Sequence, residues 1–261
     1  DALPILDDIQ LPPEYVKGIS KFYIIACGSS YHVGMVGKYV LEKLLRKPVE
    51  VALASEFRYC SPIVDENTLV IVISQSGETL DTMAALREAK RLGARTLSIV
   101  NVVGSSIAKE ADDVIYTWAG PEIAVATTKA YSTQLAVLYL ISLYFADVLG
   151  SISQEEYQTI LGELQRIPDK LEQVLAEKEN IQQYASRYFN HDSIFFIGRN
   201  LDYAIGLEAS LKLKEISYIH SEAYAAGELK HGTISLIERG TLVIALATYA
   251  QLFDKAVSNI V

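Results

Sequence analysis

The chain is poor in the residues that staple or metallate a small protein. It has two cysteines, Cys27 and Cys60, in 261 residues. That number excludes a disulfide framework and a cysteine-rich metal site, and it suits a reducing compartment. Positive charge is also short, with 23 Lys and Arg against 32 Asp and Glu and a net charge of −9. A surface that tracks a nucleic-acid backbone is therefore excluded, while a local positive pocket for an anionic metabolite is not. Long apolar runs are missing as well. The run over 135–146 is interrupted by Ser142 and stops at Asp147, too short to span a bilayer, and it reads as a buried helix. The opening Asp1-Ala2-Leu3-Pro4 is no basic-then-apolar leader. The expectation is a soluble cytoplasmic protein with no membrane and no nucleic-acid partner.

Two nucleotide signatures are absent too. No GxxxxGK[ST] loop occurs, and Gly28 lacks the further glycines of a dinucleotide fingerprint. What is present is material for a core: half the residues are hydrophobic and the mean hydropathy is +0.20. At this length one large or two medium domains are expected.

Residues 1–20 carry Pro4, Pro12, Pro13 and Gly18 among scattered acids and read as a lead-in or linker. Strands are predicted at 22–26, 49–53, 69–73, 95–100 and 113–118, with helices at 31–45, 80–92 and 130–149 and a short one from Ser105. Alternating helices and β-branched, buried strands predict an α/β fold with a parallel, doubly wound sheet over 21–150. Residues 151–192 read as a helical connection of two helices, with Ser153 and Glu156 in capping-box positions and a break at Pro168. A strand at 193–197, a helix at 203–218 and a strand at 241–246 follow, over 193–261. The segment 218–231 has no apolar periodicity and reads as a long loop. The second half echoes the first: Phe195 follows Ile24 by 171 positions and Ala245 follows Ile73 by 172. A duplication is expected, its second copy stopping before a counterpart of the strand at Arg95.

Ligands of open parallel sheets sit at the carboxyl ends of the strands. Three hydroxyl-bearing segments are expected there: Ser29 and Ser30, then 74–79, then Thr127 and Thr128. Each alone is compatible with simple helix capping. Together they favour a phosphate site built from backbone amides, hydroxyls and helix N-termini. Glu208, Lys212 and Glu215 share one helix face at i, i+4 and i+7. They form either a solvated ion-pair stripe or a carboxylate base beside an ammonium that tunes it. His231 suits acid–base work near neutral pH or a structural role. His32, His191 and His220 receive no role, and Cys27 reads as a small buried residue.

At these residues the sequence resembles a known family. CGSS at 27–30, ASEFRY at 54–59, ISQSGET at 73–79, AVATTKA at 124–130 and LKLKEISYIHSEAYAAGELKHG at 211–232 occur in order. The series is similar to the isomerase half of the glutamine–fructose-6-phosphate aminotransferases, the glucosamine-6-phosphate synthases. ISQSGET alone would indicate only the wider sugar isomerase (SIS) family. The resemblance implies two SIS subdomains, each a parallel five-stranded sheet flanked by helices, the second incomplete here. It implies binding of fructose 6-phosphate, imine formation at C2 with ammonia from a separate glutaminase domain, and C1/C2 proton transfer to give glucosamine 6-phosphate. No cofactor and no metal are implied.

Carried over by matching motif, Ser74, Gln75, Ser76 and Thr79 resemble the phosphate cradle. Ser30, Val125 and Thr127 resemble contacts to the sugar chain or phosphate. Glu215 resembles the proton-shuttling base, Lys212 its charge partner, and His231 the ring-opening histidine supplied across a homodimer interface. The glutaminase domain and the family's lysine-bearing C-terminal tail have no counterpart in these residues, so full synthesis by this chain alone is not expected. Other readings are another SIS phosphosugar isomerase or deglycase, and a non-catalytic SIS sensor. The Lys212, Glu215 and His231 set separates them, because a sensor needs no base.

Overall fold

The computed structural model describes residues 11–258. The part of the expected lead-in over 1–10 lies outside them. The chain divides into two compact units, Asp1–Gln165 and Arg166–Val261.

In the first unit β1 (Lys21–Ala26), β2 (Val49–Leu53), β3 (Thr68–Ser74), β4 (Arg95–Val100) and β5 (Asp113–Tyr116) form one sheet in the order β2-β1-β3-β4-β5. Every pairing is parallel. β3 is buried along its whole length, which is why it reads as an unbroken apolar run rather than an alternation. Side chains of β1 alternate between two layers. Phe22 meets Phe145 of α6 (Lys129–Leu149) at 5.6 Å between ring centroids. Tyr23 turns the other way onto Phe57 of α3 (Ala54–Phe57), edge-on at 5.1 Å. Tyr23 and Ile25 share that second layer with Leu86 and Ile107, from α4 (Leu80–Arg91) and α5 (Ser106–Glu110). The first layer is α6 packed on α2 (Gly28–Leu45). Each fully buried Ile or Leu contributes about 1.5–3 kcal/mol, so these two layers dominate the unit's stability.

Residues 11–20, expected as linker, belong to this core. Leu11, Val16 and Ile19 are fully buried, the latter two around α1 (Pro13–Gly18). Tyr144 donates its hydroxyl to the Leu11 carbonyl at 3.0 Å. The prolines mislead because Pro13 opens a helix, where its missing N–H costs nothing. α6 is longer than its apolar run suggests: its 21 residues meet the length and composition of a membrane span, yet half are buried in this fold.

The expected pair of helices after residue 151 is three: α7 (Gln154–Gln165), α8 (Ile167–Ala176) and α9 (Lys178–Tyr188). Ser153 Oγ accepts the Glu156 N–H at 3.1 Å, as a cap should. The expected break falls at Arg166, and Pro168 opens the first turn of α8 just after it. The second break, at Glu177, has no Gly or Pro to announce it.

In the second unit β6 (Ser193–Gly198) is central, with β7 (His220–Ala225) and β8 (Leu242–Ala245) on either side, all parallel. The expected loop over 218–231 therefore begins as a strand. Its His-Ser-Glu-Ala-Tyr-Ala sequence lacks β-branched residues, and tertiary pairing overrides propensity. Ser221 pins β7 beneath α10 (Leu201–Ser217), donating to the Ser210 carbonyl at 2.8 Å. β7, β6 and β8 repeat the order of β2, β1 and β3, the topology expected of a duplication.

Candidate functional site

The order β2-β1-β3-β4-β5 reverses direction between β1 and β3, and open sheets bind ligands in the crevice above such a point. The ISQSGET turn starts there. Ser74 ends β3, and its Oγ accepts the Gly77 N–H at 3.1 Å and meets Thr79 Oγ1 at 3.2 Å. Ser76 Oγ accepts the Glu78 N–H at 3.2 Å. Thr79 is the N-cap residue of α4, but its side chain makes no capping bond, so the hydroxyl stays on the turn. The Gln75 carbonyl accepts the Asn101 N–H at 3.0 Å, tying the turn to the end of β4. Ser74 and Thr79 are thus drawn together within the turn, while Ser76 is tied to Glu78.

Gly77 adopts φ +66°, where a side chain is strained. It also lies against the buried Ser105, whose Oγ has no protein partner among the described residues. Glu78 accepts the Ser106 N–H at 2.8 Å. Hydrogen bonds from the Ser106 side chain and backbone hold its carboxyl below the usual glutamate range.

The other two segments are held differently from the expectation. Ser30 is buried in the first turn of α2 and donates to Gln134 Oε1 at 3.1 Å. Its hydroxyl thereby joins α2 to α6. Val125 is 97% exposed. Thr127 Oγ1 donates to Glu122 Oε2 at 3.3 Å, and the same oxygen accepts Ala130 N–H at 3.2 Å. Glu122 therefore holds the loop onto the N-terminus of α6, where a carboxylate suits the helix dipole. Sequence reasoning missed Glu122. The only available signal was an acid a few residues before a helix start.

In the second unit Lys212 bridges two carboxylates of α10. Its Nζ donates to Glu215 Oε2 and stands 3.6 Å from Glu208 Oε1. The Glu208 side chain is 7% exposed and that of Glu215 30%. One carboxylate is thus sunk in the fold while the other faces outward, both sharing one ammonium. The i, i+4, i+7 spacing made this legible, although Glu208 was not carried forward as a site residue. His231 lies in the turns after β7, with its backbone N–H on the Glu228 carbonyl at 2.9 Å and its imidazole exposed. Among the described residues no three His, Cys, Asp or Glu side chains converge on a metal position.

Both units of the chain have counterparts among known proteins. The SIS domain model matches residues 17–144 and 187–259, one stretch in each unit. The chain is 62% identical over 255 residues to a glutamine–fructose-6-phosphate aminotransferase (isomerizing) of Clostridium tetani, covering 98% of the chain and 42% of that relative. A relative of the same name from Caldanaerobacter subterraneus is 60% identical over 260 residues, 43% of its length. The chain thus spans about two fifths of the curated relatives it matches. Among solved structures, the C-terminal domain of glucosamine-fructose-6-phosphate aminotransferase from Francisella tularensis superposes with a TM-score of 0.93 at 37% identity. That match covers 99% of this chain and 75% of the other. The motif turn, the repeated strand order and the two matched stretches lead to one conclusion: the chain belongs to the SIS domain family.

Proposed function

We propose that this chain is the isomerase part of a glucosamine-6-phosphate synthase. It binds fructose 6-phosphate and carries the C2 imine to glucosamine 6-phosphate by moving a proton between C1 and C2. The observation that carries this reading is the Lys212–Glu215 pair, held in one helical turn on a chain that also has the 74–79 hydroxyl turn. A carboxylate beside an ammonium can take a proton α to an imine, while the positive charge offsets the negative charge that develops. A sensor would need only the turn.

In this reading Ser74, Gln75, Ser76 and Thr79 take the phosphate, and Ser30, Val125 and Thr127 line the sugar chain. Glu215 is the base and Lys212 its charge partner. His231 opens the sugar ring from across a homodimer. An exposed imidazole supports that last role, as do bare apolar side chains at Leu171, Val174, Leu175 and Ile181 on α8 and α9. Ammonia comes from a separate glutaminase domain of the longer relatives. Two unpaired cysteines support a cytoplasmic location.

Calorimetry with fructose 6-phosphate and glucosamine 6-phosphate tests the reading. Wild type is expected to bind both, and Ser76→Ala to weaken both. Absence of binding to wild type rejects it.

A further inference from the structure

The second sheet repeats the strand order of the first, and the bounds of the central strands give the correspondence. β1 over Lys21–Ala26 recurs 172 positions on as β6 over Ser193–Gly198, and the last pairs, Ala26 with Leu53 and Gly198 with Ala225, carry β2 to β7 by the same step. Phe22 pairs with Leu69 and Ile194 with Leu242, so β3 recurs 173 positions on as β8. Gly28 at φ +55° and Asn200 at φ +56° both take positive φ where the strand hands over to the following helix. In this register Ser30 corresponds to Asp202. Gln75 and Ser76, in the turn after β3, correspond to Thr248 and Tyr249 after β8.

The correspondence puts a carboxylate where the first unit has a hydroxyl. Asp202 is buried in the first turn of α10. Its Oδ2 accepts the Thr248 N–H at 2.9 Å and the Tyr249 N–H at 3.3 Å, and its Oδ1 accepts the Thr248 hydroxyl. In the first unit Ser30 donates to Gln134 instead. Among the described residues no carboxylate reaches the Gln75 and Ser76 amides, and Glu78, the acid of that turn, is spent on Ser106.

We propose that Asp202 is a resident anion that closes the second unit's copy of the strand-end anion site. Each chain then holds one sugar-phosphate site, in the first unit. That count rests on the phosphosugar reading above; the closure itself does not. A phosphate approaching the turn after β8 meets donors already satisfied and a carboxylate of like charge. The duplication divides the work. One copy keeps its anion site open, and the other locks its own and so fixes the start of the helix that carries Lys212 and Glu215.

Two measurements test this. In calorimetry, wild type takes up one equivalent of glucosamine 6-phosphate per chain, and two equivalents overturn the proposal. Independently of any sugar, Asp202→Ala vacates the amides and lowers the melting temperature. Inorganic phosphate at about ten times its dissociation constant then raises the melting temperature of this variant about 3 °C more than that of wild type. Equal shifts in the two proteins overturn the closure. Asp202→Asn, which fills the same space, gives no such excess. If Asp202→Ala does not fold, Asp202→Ser, carrying the first unit's own residue, replaces it. Selective rescue by phosphate together with no uptake of sugar phosphate by wild type rejects the proposed function and leaves the closure standing.

Discussion

Gly77 and Ser105 are packed so that a Cβ on residue 77 would stand 2.5 Å from the Ser105 Cβ. The motif turn and the N-terminus of α5 are therefore shaped against each other, and the glycine is a steric requirement of the turn. Gly77→Ala combines left-handed strain with overpacking, each costing on the order of 1–3 kcal/mol. A melting temperature lowered by several degrees is expected. The double variant Gly77→Ala with Ser105→Gly recovers part of the loss, because it removes the clash and leaves the strain. Calorimetric melts of the four proteins of this cycle check it, and strict additivity would show that the contact is not the cause.

The Lys212 ammonium links a sunken and an exposed carboxylate. On the proposed function, Glu215→Gln is expected to retain fructose 6-phosphate binding and to lose about 10²–10⁴-fold in C1/C2 proton exchange. Exchange of solvent deuterium into the sugar phosphate measures this. Undiminished exchange removes Glu215 from the chemistry.

Glu208 depends on the same lysine for a different reason. Lys212→Met takes the cation from a buried carboxylate and is expected to cost about 3 kcal/mol. Adding Glu208→Gln to Lys212→Met restores most of it. Urea titration of the single and double variants decides, and a double variant no more stable than Lys212→Met contradicts the pairing.

Glu122 organises the loop before α6. Glu122→Ala is expected to cost about 0.5–2 kcal/mol, the range for losing a helix cap. It should also speed amide exchange at Thr128 and Ala130 while leaving β3 protected. Site-resolved hydrogen exchange tests this, and unchanged protection at both amides refutes it.

Alkaline pH has a defined sign. Burial pushes the Tyr15 phenol up to about 12, with the nearby Arg95 guanidinium opposing it. Tyr23 is likewise raised to about 12, mainly by burial, and Tyr224 to about 12 by its hydrogen bond to Glu222. A phenol with a raised folded pKa binds more protons folded than unfolded between pH 10 and 12. Stability is therefore full below about pH 10 and falls as pH climbs toward 12. Spectrophotometric titration should show a late-ionising class of tyrosines, smaller in Tyr15→Phe. Titration of every tyrosine near pH 10 in the folded protein would contradict it.

Much of the architecture was legible because burial and period act locally. A fully buried parallel strand must be apolar on both faces, so β3 stands out in the sequence. The hydroxyls and glycine after it mark a turn whose backbone donors need partners. Glu208, Lys212 and Glu215 could be placed on one face because helical spacing is rigid. β7 was not legible, because a polar segment becomes a strand only when β6 offers its edge. Residues 11–20 were not either, since burial of Leu11, Val16 and Ile19 depends on α6, more than a hundred positions away.

The sequence by itself determined that the chain is an α/β protein with a repeated strand-and-helix plan, a hydroxyl-rich strand-to-helix turn and a Glu-Lys-Glu helix face. Local chemistry is enough for each of these. Register was decided only by the tertiary structure. The apparent spacing of 171 aligns Ser30 with Leu201, whereas the bounds of β1 and β6 and the positive-φ residues Gly28 and Asn200 give 172 and align it with Asp202. In a strand one position exchanges the two faces, and no local pattern here resolves it. That single step separates an apolar side chain from the carboxylate that fills the second turn.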